Sequence, residues 1–162
     1  TFTIPSGATF TNNGTATGFG GDNTPSFRTR LASNQIISNN TSTKLSFATE
    51  DWDTDSAFAS NKFTVPSGEG GKYVLNIHIG CDPIGDGSII QLMVYINGSN
   101  VDYGKTRTVM AANSFDTFMG TTLVTSLSVS DYVEAYIYQN SGGAVTIYNT
   151  AAVFSGYKLN GV

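Results

Sequence analysis

The sequence is poor in charge: only 12% of its 162 residues are Asp, Glu, Lys or Arg, and the formal net charge is −4. Nothing basic clusters along the chain, which argues against nucleic acid as a partner, because phosphate binding needs concentrated lysine and arginine. The chain also lacks the 3.5- or 3.6-residue apolar spacing that coiled coils and helical bundles require. It has no run of eighteen apolar residues, so we expect no membrane insertion by a helix.

Cysteine and histidine each occur once, as Cys81 and His78. A single cysteine cannot form an internal disulfide, and the pair cannot supply a usual zinc site within one chain. The two residues lie three apart in a strand pattern, so their side chains leave opposite faces and cannot act together as a thiol and its base. No nucleophilic or zinc chemistry is therefore expected, and we interpret the protein as not an enzyme.

Aromatic and small polar residues are abundant instead. The chain holds 10 Phe, 8 Tyr and 1 Trp, enough to build a core and to argue against disorder. Short alternating segments separated by turn residues run from end to end, which is typical of an all-β antiparallel sandwich or barrel. Asn97-Gly98 is the strongest hairpin signal. Strands are predicted at 27–31, 43–47, 62–65, 72–79, 89–96, 101–108, 118–127, 132–138 and 145–159, the last with a break near Asn149.

The N-terminal 22 residues differ from the remainder of the chain. Segments 1–4 and 8–11 alternate like strands but are too short to build a core, so they predict an arm or stalk that pairs with neighbouring chains. A glycine-rich stretch at 18–23 loosens the chain after them. We place the boundary there, with the arm at 1–22 and a head at 23–162, and we expect the arm to be the end of something longer.

Two of the predicted strands are apolar or aromatic on both faces. Only one face of each strand lines the core of a two-sheet sandwich. Segments 89–96 and 132–138 therefore have second faces that favour a subunit contact, since aromatic residues are enriched at interfaces. The alternative, that the tyrosines cover a solvent face, stays open. The predicted interface of a homo-oligomer comprises Ile89, Met93, Tyr95, Tyr132, Tyr136 and Tyr138.

Four carboxylates fall within six residues at 50–55. Carboxylate oxygens are calcium ligands, but the run lacks the glycine and the distal glutamate of an EF-hand loop, and aspartates in turns also bind their own backbone. We expect no cofactor, with calcium as the open alternative.

Loops at one end of the sandwich carry the candidate binding residues. Successive turns of antiparallel strands alternate between two ends, so 66–71, 97–100 and 128–131 share one end and 81–88, 108–116 and 139–144 share the other. Recognition tends to lie on loops held by a rigid scaffold, and the second set is rich in groups that hydrogen-bond sugars or backbone. The predicted contact residues are Asp82, Asp86, Asn113, Ser114, Asp116, Gln139, Asn140 and Ser141.

Seven short segments occur in a recognisable order: NTPSFRTRL at 23–31, NQ at 34–35, TKLSFATE at 43–50, WDTDSAF at 52–58, FTVP at 63–66, GKY at 71–73 and FSGYKL at 154–159. Together they resemble the globular head of complement C1q, of the jelly-roll superfamily shared with tumour necrosis factor, over about residues 24–162. Trp52 stands where that family more often has Phe. The resemblance implies a ten-stranded jelly roll that forms a tight trimer and binds instead of catalysing.

Other segments resemble heads found on structural proteins of tailed bacteriophages: NGS at 97–99, VEAY at 133–136 and IPSGAT at 4–9. This likeness implies a homotrimeric protein of the virion surface, a fibre-type head that adheres to a host receptor or glycan. Its arm would contact other virion proteins, and the second set of turns would be distal.

Two alternatives remain. The chain could be a capsid decoration protein, with the arm gripping capsomers and the head acting as a cement. A polysaccharide hydrolase or lyase is disfavoured, because the sequence fixes no separation between an acid and a base.

Overall fold

The computed structural model describes residues 6–7, 23–111 and 115–159. Within them the chain forms strands and a single turn of 3-10 helix, Asn149–Ala151. The strands are β1 Ser26–Leu31, β2 Gln35–Ile37, β3 Thr43–Lys44, β4 Phe47–Asp53, β5 Phe58–Ala59, β6 Lys62–Thr64, β7 Gly71–Cys81, β8 Ile89–Ile96, β9 Ser99–Val109, β10 Thr117–Leu127, β11 Tyr132–Gln139, β12 Val145–Ile147 and β13 Val153–Lys158.

The described strands pair in two antiparallel sheets. Sheet I has β7 at its centre, with β10 along one edge and β13 and β12 along the other; β1 and β4 follow β13, and β2 pairs with β12. Sheet II runs β5-β6-β11-β8-β9, with β3 also pairing with β11. The predicted all-β jelly-roll sandwich is confirmed.

The core lies between the two sheets and is centred on Phe27. Its ring lies 4.7 Å from that of Phe63, 5.0 Å from that of Phe154 and 5.2 Å from that of Phe58, measured between centroids. All four rings are buried. Strands from both sheets contribute to this cluster. Because successive side chains of a strand point to opposite faces, one face of each strand packs against the other sheet.

Most predicted strands occur close to their expected bounds. The turn at Asn97-Gly98 joins β8 and β9, and both residues have positive φ, 52° and 75°, as a two-residue hairpin requires. The expected break near Asn149 is the 3-10 turn between β12 and β13. The predicted arm at 1–22 lies outside the described residues except for 6–7, so the boundary at residue 22 stays a prediction.

The predicted division of the turns between two ends is also confirmed. At one end the Val65 amide donates to the Asp131 carbonyl and the Asn97 amide donates to the Tyr132 carbonyl. The described chain enters the head at this end, where the Lys158 amide donates to the Pro25 carbonyl. The turn at 82–88, the described residues 110–111 and 115–116, and the turn at 140–144 lie at the opposite end, which we call the loop end.

Candidate contact surfaces

Hydrogen bonds between loops hold the loop end together. The Gly87 amide donates to the Met110 carbonyl over 2.9 Å, and the Met110 amide donates to the Ser88 carbonyl over 2.8 Å. The Asn140 side chain accepts a bond from the Ile89 amide at 2.6 Å. Three loops far apart in sequence therefore form one surface, as the alternation of turns predicts.

Asp82 and Asp116 meet at Tyr148. The Tyr148 hydroxyl lies 2.9 Å from Asp82 Oδ1 and 2.9 Å from Asp116 Oδ1, and these contacts together with burial raise its pKa. Hydrogen bonds from Thr146, followed by the one from Tyr148, keep the pKa of Asp82 below its usual range despite some desolvation. Asp82 is therefore an ionised anchor for the backbone of β12.

Gln139 differs from the expectation of a surface contact. It is fully buried, and its amide nitrogen donates to the carbonyl oxygens of Gly143 at 2.8 Å and Ile37 at 3.2 Å. Its side-chain oxygen accepts from both the amide and the hydroxyl of Ser141, each at 2.7 Å. The side chain satisfies loop backbone that burial would otherwise leave unpaired, so it is not available to a ligand.

The eight predicted contact residues thus divide into three groups. Asp82, Gln139, Asn140 and Ser141 hold loops in place through the bonds above. Asp86 and Asp116 are exposed at the loop end. Asn113 and Ser114 lie outside the described residues. The sequence predicted that these residues share one end of the sandwich. It did not distinguish the side chains that hold the loops together from those that are exposed to solvent.

The six predicted interface residues all lie on the outer face of sheet II. Their strands are neighbours, and register places Tyr136 opposite Met93 and Glu134 opposite Tyr95. The Tyr95 and Tyr136 rings stack with centroids 4.1 Å apart. Met93 is buried within the protomer, and Ile89, Tyr95, Tyr132, Tyr136 and Tyr138 are half-buried. The shared face is as expected, and the role of these residues in a subunit contact stays a prediction.

Larger exposed apolar side chains lie on β10 of sheet I and on β9, the edge strand of sheet II. Phe118 and Val124 project outward from β10 with 60% and 59% of their surface exposed. Tyr103, 65% exposed on β9, lines a shallow groove together with Val124. We call these three residues the β10 patch. Sequence reasoning missed it, although Phe118 and Val124 share the outward parity of β10.

Shallow grooves cross the remainder of the outer face of sheet I. One, of about 490 Å³, is lined by Trp52, Arg28, Tyr157, Asn76 and Ser155 among others, and the Arg28 guanidinium lies 5.8 Å from the centroid of the Trp52 ring. A second groove shares Asn76 and Ser155 and continues to Gly120 in β10. This face is therefore uneven and mixed in polarity from β4 to β10.

The single histidine and the single cysteine lie on opposite faces of sheet I. His78 is exposed on the outer face of sheet I, with Nδ1 3.2 Å from the Ala151 carbonyl oxygen. Cys81 is buried on the other side, where burial, with the charges of Asp82 and Asp116, raises the thiol pKa to about 12. A thiol with that pKa is protonated at neutral pH and a poor nucleophile. The predicted separation of the pair is confirmed.

The acidic run at 50–55 is used in the fold and is not arranged as a calcium loop. Asp51 accepts ion-paired hydrogen bonds from Arg28 at 2.7 Å and Arg30 at 2.8 Å. Asp53 accepts the backbone amides of Ala57 and Phe58 at 3.0 and 2.7 Å. In the described ranges no three His, Cys, Asp or Glu side chains converge as a metal site would require, and no helix is long and apolar enough to span a membrane.

Comparison with known proteins identifies structures of similar fold. No family model matches the sequence and no curated protein is similar to it. Among solved structures, the globular domain of zebrafish complement 1qA protein aligns with a TM-score of 0.58 and 17% identity, covering 83% of this chain and 97% of that one.

Two tumour-necrosis-factor relatives align similarly. Eiger TNF from S. frugiperda has a TM-score of 0.61 and 10% identity, covering 85% of this chain and 92% of its own. Murine APRIL has a TM-score of 0.60 and 12% identity, covering 83% and 98%. The described head therefore has the jelly-roll fold that C1q and TNF heads share.

Proposed function

We propose that the protein is a homotrimeric, non-enzymatic recognition head of a virion surface, which adheres to a host receptor through its loop end. The observation that carries the trimer is the β10 patch: three large apolar side chains, each about three-fifths exposed, beside a grooved sheet face. Large apolar side chains exposed on a sheet face favour a protein contact, and aromatic residues are enriched at the centre of such contacts.

The β10 patch suits a subunit contact better than the outer face of sheet II does. On sheet II the tyrosines are half-buried against one another, and four cations project among them, Lys44, Lys62, Lys105 and Arg107. Burying charged groups under a second protomer costs free energy, and charged residues are depleted at interface cores. We therefore propose the β10 patch, in place of the six sheet II residues expected from the sequence, as the subunit contact.

The direction of the chain supports the loop end as the contact surface. Asn23 enters the head at the opposite end, so an arm at 1–22 would join the head to other virion proteins and leave the loop end facing outward. Asp86 and Asp116 are the exposed carboxylates there. Carboxylates accept two hydrogen bonds from neighbouring hydroxyls, which suits a sugar or a backbone.

The test uses a panel of bacterial envelope fractions and the full chain, with bound protein measured directly. Wild type is expected to bind at least one fraction, and Asp86→Ala with Asp116→Ala is expected to lower the affinity about tenfold or more, because each removes a charged hydrogen-bond acceptor. Ser67→Ala with Ser130→Ala, at the opposite end, is the matched control and should bind as wild type does.

Equal binding by the Asp86/Asp116 double variant would overturn the loop-end assignment. Binding to no fraction would overturn adhesion. Binding of the chain to phage capsids in place of envelope fractions would favour the decoration role.

A further inference from the structure

The outer face of sheet II carries several basic residues, although the protein as a whole is acidic. The chain has 8 basic residues and a net charge of −4, yet half of the basic residues project from this one face. Register establishes this: Lys44 lies opposite Tyr136, Lys105 opposite Met93 and Arg107 opposite Gln91. Lys62 lies with its Nζ 4.3 Å from the centroid of the outward Tyr132 ring.

Two of the four cations are already neutralised. Lys44 Nζ lies 2.6 Å from Glu134 Oε1, and Lys105 pairs with Asp102 through a short contact. Lys62 and Arg107 form no ion pair with any described residue. The face therefore keeps two uncompensated positive charges, although the molecule as a whole is negative.

The two uncompensated cations lie at opposite corners of an aromatic surface. Lys62 lies at the Tyr132 end of β11, and Arg107 is in the row of Tyr138, six residues further along that strand. Six residues of strand span about 20 Å, and the three inter-strand steps from β6 to β9 add about 14 Å across. A ligand that meets both cations must be long, which favours a polymer over a small molecule.

Between these corners the surface is made of tyrosines. The stacked rings of Tyr95 and Tyr136 lie between Tyr132 and Tyr138, and the Tyr138 hydroxyl donates to Asn40 Oδ1 at 3.1 Å. Tyrosine offers an apolar ring and a polar hydroxyl on one rigid side chain. Pyranose rings have the complementary character, with apolar C–H faces and hydroxyl edges.

We propose that this basic tyrosine face binds an acidic polysaccharide, with Lys62 and Arg107 contacting its anionic groups and the tyrosines contacting its sugar rings. The site is separate from the loop end and does not depend on the host contact proposed there. Charge complementarity selects the anionic polymer, since a neutral glycan would leave both cations without a partner.

The test measures binding of the full chain to dextran sulfate, with unsulfated dextran of the same length as the neutral probe. The wild type is expected to bind dextran sulfate at physiological ionic strength, to weaken as salt rises, and to bind dextran far less. Lys62→Gln and Arg107→Gln should each lower the affinity about tenfold, because each removes one charged contact. Lys72→Gln, the same loss of charge on sheet I, is the control and should leave the affinity unchanged.

Two polyanions without pyranose rings, polyglutamate and oligothymidylate, separate sugar recognition from charge alone. Dextran sulfate is expected to bind more tightly than either. Failure to bind dextran sulfate, wild-type affinity in both Lys62→Gln and Arg107→Gln, or equal binding of dextran would overturn the proposal. Tighter binding of oligothymidylate would also overturn it, because the partner would then be a nucleic acid. Loss of binding in the Asp86/Asp116 variant would move the site to the loop end.

Discussion

At the scale of single residues, the fold depends on close packing between neighbouring strands of sheet I beside Phe27. Gly156 lies in β13 directly under this ring. A Cβ at position 156 would come within 2.9 Å of Phe27 Cε1 and 3.0 Å of the Val74 carbonyl oxygen. The neighbouring ring is itself held by three other aromatic side chains, so it has little room to move. The absence of a side chain at 156 is therefore a packing requirement.

Gly156→Ala is expected to destabilise the protein by about 1–3 kcal/mol, the usual cost of forcing an extra methyl group into a packed core. The measurement is the urea midpoint at fixed protein concentration. Gly143→Ala is the control, because nothing lies within 4 Å of a Cβ at that position. Similar midpoints for the two variants would show that the core at Phe27 is looser than described.

At the scale of strands and turns, alternation predicted most of the sandwich but not its shortest or most charged parts. Segment 89–96 occurs with its predicted bounds, because its apolar pattern and the following Asn97-Gly98 agree. The single strand expected at 43–47 was wrong. The structure has a short β3, Thr43–Lys44, and a separate β4 that begins at Phe47 and continues through the acidic run to Asp53, since the arginines of β1 pair with Asp51. The acidic segment is stable as a strand because the neighbouring strand, β1, supplies the arginines that pair with it.

The predicted contact residues of the loop end were also only partly predictable from the sequence. Polar residues in the turns at 81–88 and 139–144 predict a recognition surface, and the loops do meet. Sequence alone does not reveal that Gln139 points inward, because its role depends on carbonyl groups of Ile37 and Gly143 that only the fold brings near. The sequence did not predict the β10 patch either, because the exposure of Phe118 and Val124 depends on which strands lie beside β10.

Asp131 links two turns at the end opposite the loop end, and this predicts a pH dependence. Hydrogen bonds from the Asn97 side chain and the Ser128 amide, at 2.8 and 2.7 Å, hold the pKa of Asp131 below its usual range. A carboxyl whose folded pKa is depressed stabilises the protein above its unfolded pKa, about 3.9, and loses that contribution as the pH falls through the folded pKa.

Asp131→Asn is therefore expected to lower the unfolding free energy at pH 7 and to flatten its decline below about pH 4. The measurement is urea unfolding as a function of pH. Asp86→Asn, on an exposed loop carboxylate, serves as the control. An unchanged pH profile in Asp131→Asn would contradict the assigned bonds.

At the scale of the whole molecule, three surfaces differ in chemistry. The β10 patch is apolar, the outer face of sheet II is basic and aromatic, and the loop end offers carboxylates. A trimer joined through the β10 patch would leave the other two surfaces in solvent. The state of assembly is therefore decisive, because it determines which surfaces remain free to bind.

Sedimentation equilibrium of the full chain measures the state of assembly. We predict a mass of about 51 kDa, three times the 17.1 kDa of the chain, and a monomer for Val124→Asp, because a buried charge at an apolar contact disrupts it. Val129→Asp, the same change at an exposed valine outside the patch, should remain a trimer. A monomeric wild type, or a Val124→Asp variant that stays trimeric, would contradict the account.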